Sequence, residues 1–357
     1  MLATALVVLL AMPAPQELQE TITVSRVLVD VRVTTFNGEP VTDLTAADFD
    51  VRVDGKRAIV ESAEWIDDGV VESSRDGVVE PRVVESPRDG VVEGNTGDAP
   101  LRFEHSLPRP RGRLFVFFVQ TDFARNTARV EGQMGFLPYA RELIATFGPD
   151  DRAAVFSFDS HLKFRLDFSS DAAAIGQALE NALFIDHPAP PPLVPSPSLA
   201  SRLDRDEMRD AGSSEEALLL VANALRPIPG PKSLLLLGWG LGERTRGGVQ
   251  MTRHWKNTRV ALDAARVSIF ALDTTNADFH DLELGLESVA DQTGGFYAKT
   301  HIFPRIALGR LQRTLSGHYE LELRIAEDPK PGSLVLRVRV KKRGARVLAP
   351  SSVLIRP

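Results

Sequence analysis

Cysteine is absent from all 357 residues, which excludes disulfides, thiolate metal sites and a cysteine nucleophile. A surplus of positive charge is absent as well. The formal net charge is -6, whereas nucleic-acid or anionic-lipid partners need a concentrated basic surface. The short run Lys341-Lys342-Arg343 reads as the solvated end of a strand. The histidines lie far apart, with no HExxH or similar spacing, so a zinc centre is not expected. Gly238-Trp239-Gly240-Leu241-Gly242 has Glu243 where a dinucleotide fingerprint needs a further glycine, and reads as a glycine-rich turn. Ser157, Asp159 and His161 are close in sequence, but no nucleophile elbow surrounds them.

A membrane-spanning run is missing too. The apolar opening, Leu2 to Met12, falls short of the roughly 18 residues of a span and has the length of a secretory signal core. Ala11 and Ala14 offer small residues for cleavage near Gln16, although a positive n-region is lacking. Residues 1–15 are therefore expected to be a signal peptide, and the protein to be secreted or held in the periplasm or cell envelope.

What is present is organised around Arg113 to Arg125, RLFVFFVQTDFAR. Leu114 to Val119 is an unbroken run of apolar β-formers, which suits a strand buried on both faces, and it ends in the polar Gln120, Thr121 and Asp122. Further buried strands are expected at Arg152 to Phe158, Ser233 to Leu237 and Val267 to Leu272, with a short one at Phe296 to Lys299. Helices between them are expected at Ala124 to Phe147, interrupted or kinked at Pro138, and at Asp171 to Phe184, capped by Ser170. Others follow at Glu215 to Leu225, Thr252 to Ala265 and Leu282 to Gln292, with a closing one up to Leu315. Leu162 to Phe168 reads as an edge strand. Alternating strands and helices of this kind make an α/β domain over 111–316: a doubly wound, Rossmann-like, mostly parallel sheet with helices on both faces. The stretch 186–212 is rich in proline and charge and reads as an exposed insertion.

Both flanks differ in character. Thr21 to Val33, Asp50 to Val53 and Ala58 to Trp65 alternate apolar and polar residues within an N-terminal β module at 20–66. Turn signals stand at Phe36-Asn37-Gly38-Glu39 and Asp54-Gly55, and Thr45 is placed to cap a short turn. Tyr319 to Ile325, Ser333 to Lys341 and Ala345 to Leu354 alternate in the same way within 317–357. These strands are expected to pair with the N-terminal ones in a small β-sandwich into which the α/β domain is inserted. Between them, 67–110 carries the duplicated VVESSRDGVVEPR and VVESPRDGVVEG, and reads as a flexible linker.

Several motifs occur in a telling order: the strand Arg113 to Phe118, the segment Gly148-Pro149-Asp150-Asp151-Arg152 leading to Phe158-Asp159, Pro229-Gly230-Pro231-Lys232-Ser233, Ala271-Leu272-Asp273 and Gln292-Thr293-Gly294-Gly295. Together they resemble the von Willebrand factor type A domain. With the upstream Asp30 to Phe49, the chain more narrowly resembles the bacterial "VWFA-related" proteins most familiar from acidobacteria. The resemblance implies a ligand site at the carboxyl ends of the strands. In ligand-binding members a DxSxS loop, a Thr and a later Asp hold Mg²⁺, and a partner's carboxylate completes the shell. This chain departs from that pattern. Gln120 stands at the leading acid, neither Gln120 nor Asp122 is followed by the two serines, Ser213 or Ser214 could replace the Thr, and Gly238-Trp239 replaces the late Asp.

The expectation is accordingly a non-enzymatic protein-binding module with a degenerate metal-ion-dependent adhesion site and no required cofactor. Its candidate loops carry Gln120, Thr121, Asp122, Asp159, Ser213, Ser214, Gly238, Trp239 and Asp273. Weak Mg²⁺ binding through Asp122, Ser213 or Ser214 is the residual metal reading; solvated loop-end acids, or acids that cap helix N-termini, are the other. Trp239 and Trp255 are candidates for aromatic contacts at the same edge, with core packing the equal alternative. An envelope hydrolase using acids at the strand ends and a purely structural role are the alternatives.

Overall fold

Unbroken apolar runs and period-two alternation lead to two different sheets. The computed structural model describes residues 25–68, 110–122, 124–325 and 329–355. The signal-like segment and the 67–110 linker, apart from its ends, lie outside the described residues.

From the N-terminal side come β1 (Ser25–Thr34), β2 (Phe49–Val53) and β3 (Lys56–Asp67). The middle of the chain gives β4 (Leu114–Gln120), α1 (Thr127–Ile144), β5 (Arg152–Phe158), β6 (Leu162–Ser169), α2 (Ala172–Asn181), α3 (Arg205–Asp210), α4 (Ser214–Leu225) and β7 (Lys232–Gly238). A small hairpin, β8 (Glu243–Thr245) and β9 (Gly248–Gln250), precedes α5 (Trp255–Ala264), β10 (Val267–Asp273), α6 (Glu283–Gln292), β11 (Tyr297–Lys299) and α7 (Pro304–Thr314). The chain closes with β12 (Gly317–Ile325), β13 (Gly332–Val340), β14 (Arg346–Leu348) and β15 (Ser352–Ile355).

The six-stranded sheet has the order β11-β10-β7-β4-β5-β6. All its pairings are parallel except that of the edge strand β6. Strand β4 lies in the middle, which explains its composition. Phe115, Phe117 and Val119 face one core with α1, α2 and α7. Leu114, Val116 and Phe118 face another with α4, α5 and α6. A residue on either face is thus removed from water, and no polar position is tolerated until the strand ends.

Local corrections to the sequence reading have simple causes. Helix α1 continues through Pro138 without interruption, and the turn whose carbonyl the proline cannot serve carries the exposed Met134 and Gly135, open to water. Asp171, not Ser170, caps α2, its carboxylate accepting from the N–H groups of Ala173 and Ala174 at 2.9 and 3.3 Å; a charged acceptor suits a helix N-terminus. The Pro-rich insertion is anchored rather than merely exposed. Leu199 is fully buried, and the buried Asp167 of β6 accepts from the Ser198 hydroxyl at 2.6 Å and the Leu199 N–H at 3.0 Å.

The flanking strands form one antiparallel seven-stranded sheet, order β14-β1-β12-β3-β2-β13-β15, where a sandwich of two sheets was expected. Strands from the two ends of the chain interleave, so neither end completes the sheet alone. Its core gathers on Tyr319, whose ring meets Phe49 and Trp65 edge-on at 5.3 and 5.1 Å between centroids. The Tyr319 hydroxyl donates to the Val41 carbonyl and accepts from the Leu44 N–H, both at 2.9 Å, so its polar tip is satisfied where it is buried. The predicted turns are present. Asp54 and Gly55 both take positive φ, +47° and +81°, as a two-residue hairpin requires, and Asp48 accepts from the N–H and hydroxyl of Thr45 at 2.8 Å.

The β module meets the α/β domain at the amino ends of the parallel strands. Arg32 donates to Ser268 and Ser233 at 3.3 and 3.4 Å, and Arg266, just before β10, donates to both oxygens of the buried Asp30 at 2.9 and 2.5 Å and to Glu320 at 2.5 Å. The carboxyl ends therefore stay clear. Burial alone would raise the pKa of Asp30; the two hydrogen bonds and the charge of Arg266 overturn this and hold it below its ordinary 3.8. Such a group stabilises the fold above its unfolded pKa and loses that contribution as pH falls through the folded value. Arg266→Ala is expected to cost about 3–5 kcal/mol in urea unfolding at pH 7, because it strands a buried charge, and the deficit should shrink as acid protonates Asp30. A loss under about 1 kcal/mol would mean that the two halves are held by other contacts.

Candidate functional site

Strands β4 and β7 are neighbours, yet the chain leaves them for opposite faces of the sheet, to α1 in one core and α5 in the other. The loops after them diverge, and a crevice at such a switch point is where open parallel sheets bind ligands. Five of the candidate residues meet there: Gln120, Asp122, Ser214, Gly238 and Trp239.

The Gln120 side chain is buried and fully engaged. Its carbonyl oxygen accepts from the N–H groups of Trp239 at 3.0 Å and Gly240 at 3.2 Å. Its amide nitrogen donates to the Ser214 hydroxyl at 2.9 Å and the Gly240 carbonyl at 2.7 Å. One amide thus joins the ends of β4 and β7 to the start of α4, and Gln133 on α1 donates to its backbone carbonyl. The fit depends on Gly238, since a Cβ there would lie 2.3 Å from Gln120 Oε1. A glutamine has two donors and a carbonyl acceptor, and here all are spent inside the protein.

Asp122 is also buried, and its carboxylate accepts from the N–H groups of Ala124 at 3.2 Å and Asn126 at 2.6 Å and from Arg129 Nη1 at 3.3 Å. It shapes the turn into α1, as an acid at a helix start does. The Arg129 guanidinium in turn lies 3.8 Å from the centroid of the half-buried Trp239 ring, a cation–π contact. The indole N–H of Trp239 has no partner among the described residues. Trp255, by contrast, is a core residue that donates to Gln292 at 2.9 Å, so of its two readings core packing holds and the ligand edge does not.

A hard dication would need several free anionic or carbonyl oxygens here. This set offers one carboxylate already paired with a guanidinium, an amide whose oxygen takes two N–H groups, and a serine that accepts from that amide. It does not fit Mg²⁺.

Three candidates serve local structure. Thr121 donates to the Ala182 carbonyl at 2.7 Å, and Ser213 is the N-cap of α4, accepting from the Glu216 N–H at 3.2 Å. Asp159, after β5, accepts from Ser160 N–H and Lys163, both at 2.5 Å; burial raises its pKa, but Lys163 and then Ser160 bring it below the usual value. Its carboxylate is 3.7 Å from His161, while Ser157 accepts from Arg165 at 2.8 Å. Ser157, Asp159 and His161 therefore do not form a hydrogen-bonded relay.

Asp273 ends β10 and stands in a cluster the sequence reading missed. Its Oδ2 accepts from His280 Nε2 at 2.8 Å and the Tyr297 hydroxyl at 2.9 Å, and its Oδ1 accepts from the Thr275 N–H at 3.0 Å. Burial first, and then the Asp273 charge, push the Tyr297 phenol far above its ordinary value, so it remains a donor. Asp273, His280 and Glu283 bring ligand atoms within 4.8 Å of one another, but Lys299 Nζ lies 2.6 Å from Glu283 and supplies the local positive charge. Only the short strand expected at Phe296 to Lys299 pointed to β11, and nothing in the spacing of the histidines signalled His280. Exposed apolar side chains border the same edge: Phe279 in the loop after β10, and Ile302 and Phe303 after β11, are 55–64% exposed. The two loops are joined by Lys299, which donates to the Asp278 carbonyl, and by His301, 3.3 Å from Asp278.

Gly238→Ala should cost about 1–3 kcal/mol through overlap with Gln120. Gln120→Ala should be costly by itself, since each orphaned N–H or C=O costs about 1–3 kcal/mol. In the double variant the clash has nothing to strike, so urea unfolding is expected to show a coupling of about 1 kcal/mol or more. Strict additivity would mean that this amide does not hold the two loops.

No family model and no curated protein matches the sequence. Among solved structures, the chain is similar to a von Willebrand factor type A protein from Catenulispora acidiphila, at 11% identity over 68% of this chain and 65% of that one, with a TM-score of 0.40. It is similar to the conserved hypothetical protein BatB from Bacteroides thetaiotaomicron, at 12% identity over 57% and 98%, TM-score 0.38. A third likeness is to proximal thread matrix protein 1 from the mussel byssus with a zinc-occupied MIDAS motif, at 13% identity over 59% and 48%, TM-score 0.36. The chain thus spans about half the length of the byssus protein, and scores this low carry no argument about activity or partner. The solved structures to which this chain is similar include von Willebrand factor type A proteins, the family its sequence motifs resemble.

Proposed function

We propose that the chain is an exported, non-enzymatic protein-binding module whose strand-end loops hold a partner without a bridging metal. The observation that carries this is the Gln120 amide. It stands where the resemblance puts the first acidic ligand, and its hydrogen bonds to Trp239, Gly240 and Ser214 assemble the loops from within the protein. Loops ordered in this way need no cation to shape them, and a rigid surface lowers the entropy cost of capture.

The rim supports a protein partner over a small ligand or a reaction. Phe279, Ile302 and Phe303 are large apolar groups left in water on the loops after β10 and β11, and Trp239 with Arg129 adds the residue types enriched where proteins bind. The seven-stranded sheet acts as a mount at the far end. Export rests on the signal-like residues 1–15; no helix among the described residues is long and apolar enough to cross a membrane.

The test combines a partner readout with a metal readout. A photo-crosslinking side chain at the exposed Asn126 or Glu243, introduced in the producing cells, is expected to yield a discrete protein adduct. The adduct should disappear in Phe279→Ser with Phe303→Ser while the unfolding midpoint stays unchanged. For protein stripped with EDTA, Mg²⁺, Mn²⁺ and Ca²⁺ up to millimolar are expected to leave that midpoint unmoved, since only a ligand that prefers the native state raises it. A saturable rise that vanishes in Asp122→Ala would replace this reading with metal-bridged capture of an acidic partner.

A further inference from the structure

Strand β15 parts from β1 where pairing could have continued. Strand β14 sets Arg346 against Thr34 and Leu348 against Arg32. The same antiparallel register, extended, would put Ser352 opposite Leu28 and Leu354 opposite Arg26. The chain instead turns away at Ala349 to Ser351, held to the α/β domain by the Thr293–Pro350 bridge and by Ser351, whose N–H donates to the Gln292 carbonyl at 2.9 Å. Strand β15 then pairs with β13, Ser352 opposite Val335.

Two strand edges are left open by this departure. Among the described residues, Ser25 to Asp30 pair only with β12, and β15 pairs only with β13. Between the edges lies a slot of about 520 Å³, lined by residues 25–30 and 352–355 and floored by Asp263, Ala264 and residues 266–268. That volume falls within the ~300–1,000 Å³ of ligand clefts. The Val33 carbonyl accepts from the Val41 N–H at 2.8 Å on the β12 side, so by alternation the N–H and C=O groups of Arg26, Leu28 and Asp30 face the slot.

The side chains bordering the slot are incomplete in a matching way. Asp30 and Arg32 reach down from β1 to Arg266, Ser268 and Ser233. Leu28, next on the same face, is 49% exposed. On the floor, Asp263 accepts from the Ser352 hydroxyl and forms no ion pair among the described residues, whereas the Arg266 guanidinium beside it is engaged by Asp30 and Glu320. Burial pushes the Asp263 carboxyl up to about 7, the Ser352 hydrogen bond and Arg259 offsetting only part of that rise.

We propose that this slot receives an extended segment of a partner protein as a strand added to the open edge of β1, with an apolar side chain of that segment covering Leu28 and a lysine or arginine reaching Asp263. Main-chain hydrogen bonds to the slot-facing groups of Arg26, Leu28 and Asp30 would supply affinity, and the alternate side chains that face the floor would supply selectivity, as in other strand additions. This surface is at the amino end of the parallel sheet and is separate from the loops at its carboxyl end.

The test is fluorescence anisotropy with the full chain and a labelled, end-capped heptapeptide, Thr-Val-Thr-Lys-Thr-Val-Thr, whose valines and lysine share one face. Saturable binding is expected, weakened about tenfold or more when the lysine is changed to glutamate, and the preference for lysine should be lost in Asp263→Asn. Leu28→Pro deletes a slot-facing N–H while leaving the β12 side of the ladder intact, and should weaken binding by a similar factor; Leu28→Lys, which puts a like charge in the path of the lysine, does the same should the proline variant fail to fold. Absence of saturable binding overturns the proposal, as does equal binding by wild type, Asp263→Asn and the Leu28 variants.

Discussion

A guanidinium held between two carboxylates joins the halves of this chain. Arg266 belongs to the α/β domain, whereas Asp30 and Glu320 come from strands that start and end the sequence, yet all three meet within hydrogen-bond distance at the amino end of the parallel sheet. A buried ion pair contributes little by attraction alone, because desolvation takes most of it back. Its larger effect is on orientation: any arrangement that separates Arg266 from Asp30 leaves a buried charge unmatched. The β module is thereby confined to one end of the α/β sheet, and the carboxyl ends of β4, β7 and β10 are left free.

The free end is then shaped by a neutral group where charge would be expected. A carboxylate at Gln120 would accept from Trp239 and Gly240 but could not donate to Ser214 or to the Gly240 carbonyl, and it would repel Asp122 across the same loop. The amide does both jobs and adds no charge. With that charge gone, Asp122 is matched by Arg129, and Arg129 is free to lie on Trp239. The departures from the metal-binding pattern are therefore coupled: amide for acid at Gln120, small Gly238 beside it, and an arginine on the adjacent helix form one self-sufficient arrangement.

Much of the architecture was legible because its signals are local. Burial on both faces wrote itself into Leu114 to Val119, and the bounds Arg152–Phe158 for β5 follow from the same signal. Alternation marked the flanking strands in the same way, and Asp54-Gly55 marked their hairpin. What was not legible depends on distant residues. Whether the flanking strands form two sheets or one is decided by β3, which pairs with β2 through Lys56 to Ala58 and then, from Ile59 to Asp67, with β12 from the far end of the chain. The anchoring of the Pro-rich insertion rests on Asp167, an acid in an otherwise ordinary edge strand. At the site, sequence order brought Gln120, Gly238 and Trp239 to the right edge, but it could not show that the amide of one is saturated by the backbone of the others. His280 and Tyr297 carry no local pattern at all; only the fold brings them to Asp273.

The two surfaces differ in kind because the two sheets end differently. Parallel strands finish in loops, so the carboxyl edge of the α/β domain offers side chains: a tryptophan, an arginine and a rim of exposed apolar groups. An antiparallel sheet that does not close finishes in strand edges, which offer main-chain donors and acceptors. Exposed edges are ordinarily a hazard for unwanted pairing, and proteins blunt them with charge or cover. Here one side of the opening is the α/β domain itself, and Asp263 on its floor has no ion pair among the described residues, so pairing favours a segment that fits over that floor and brings a cation. The Arg266 clamp fixes the depth of that floor relative to β1. The contact that keeps the loops clear at one end of the sheet therefore also sets the geometry of the slot at the other.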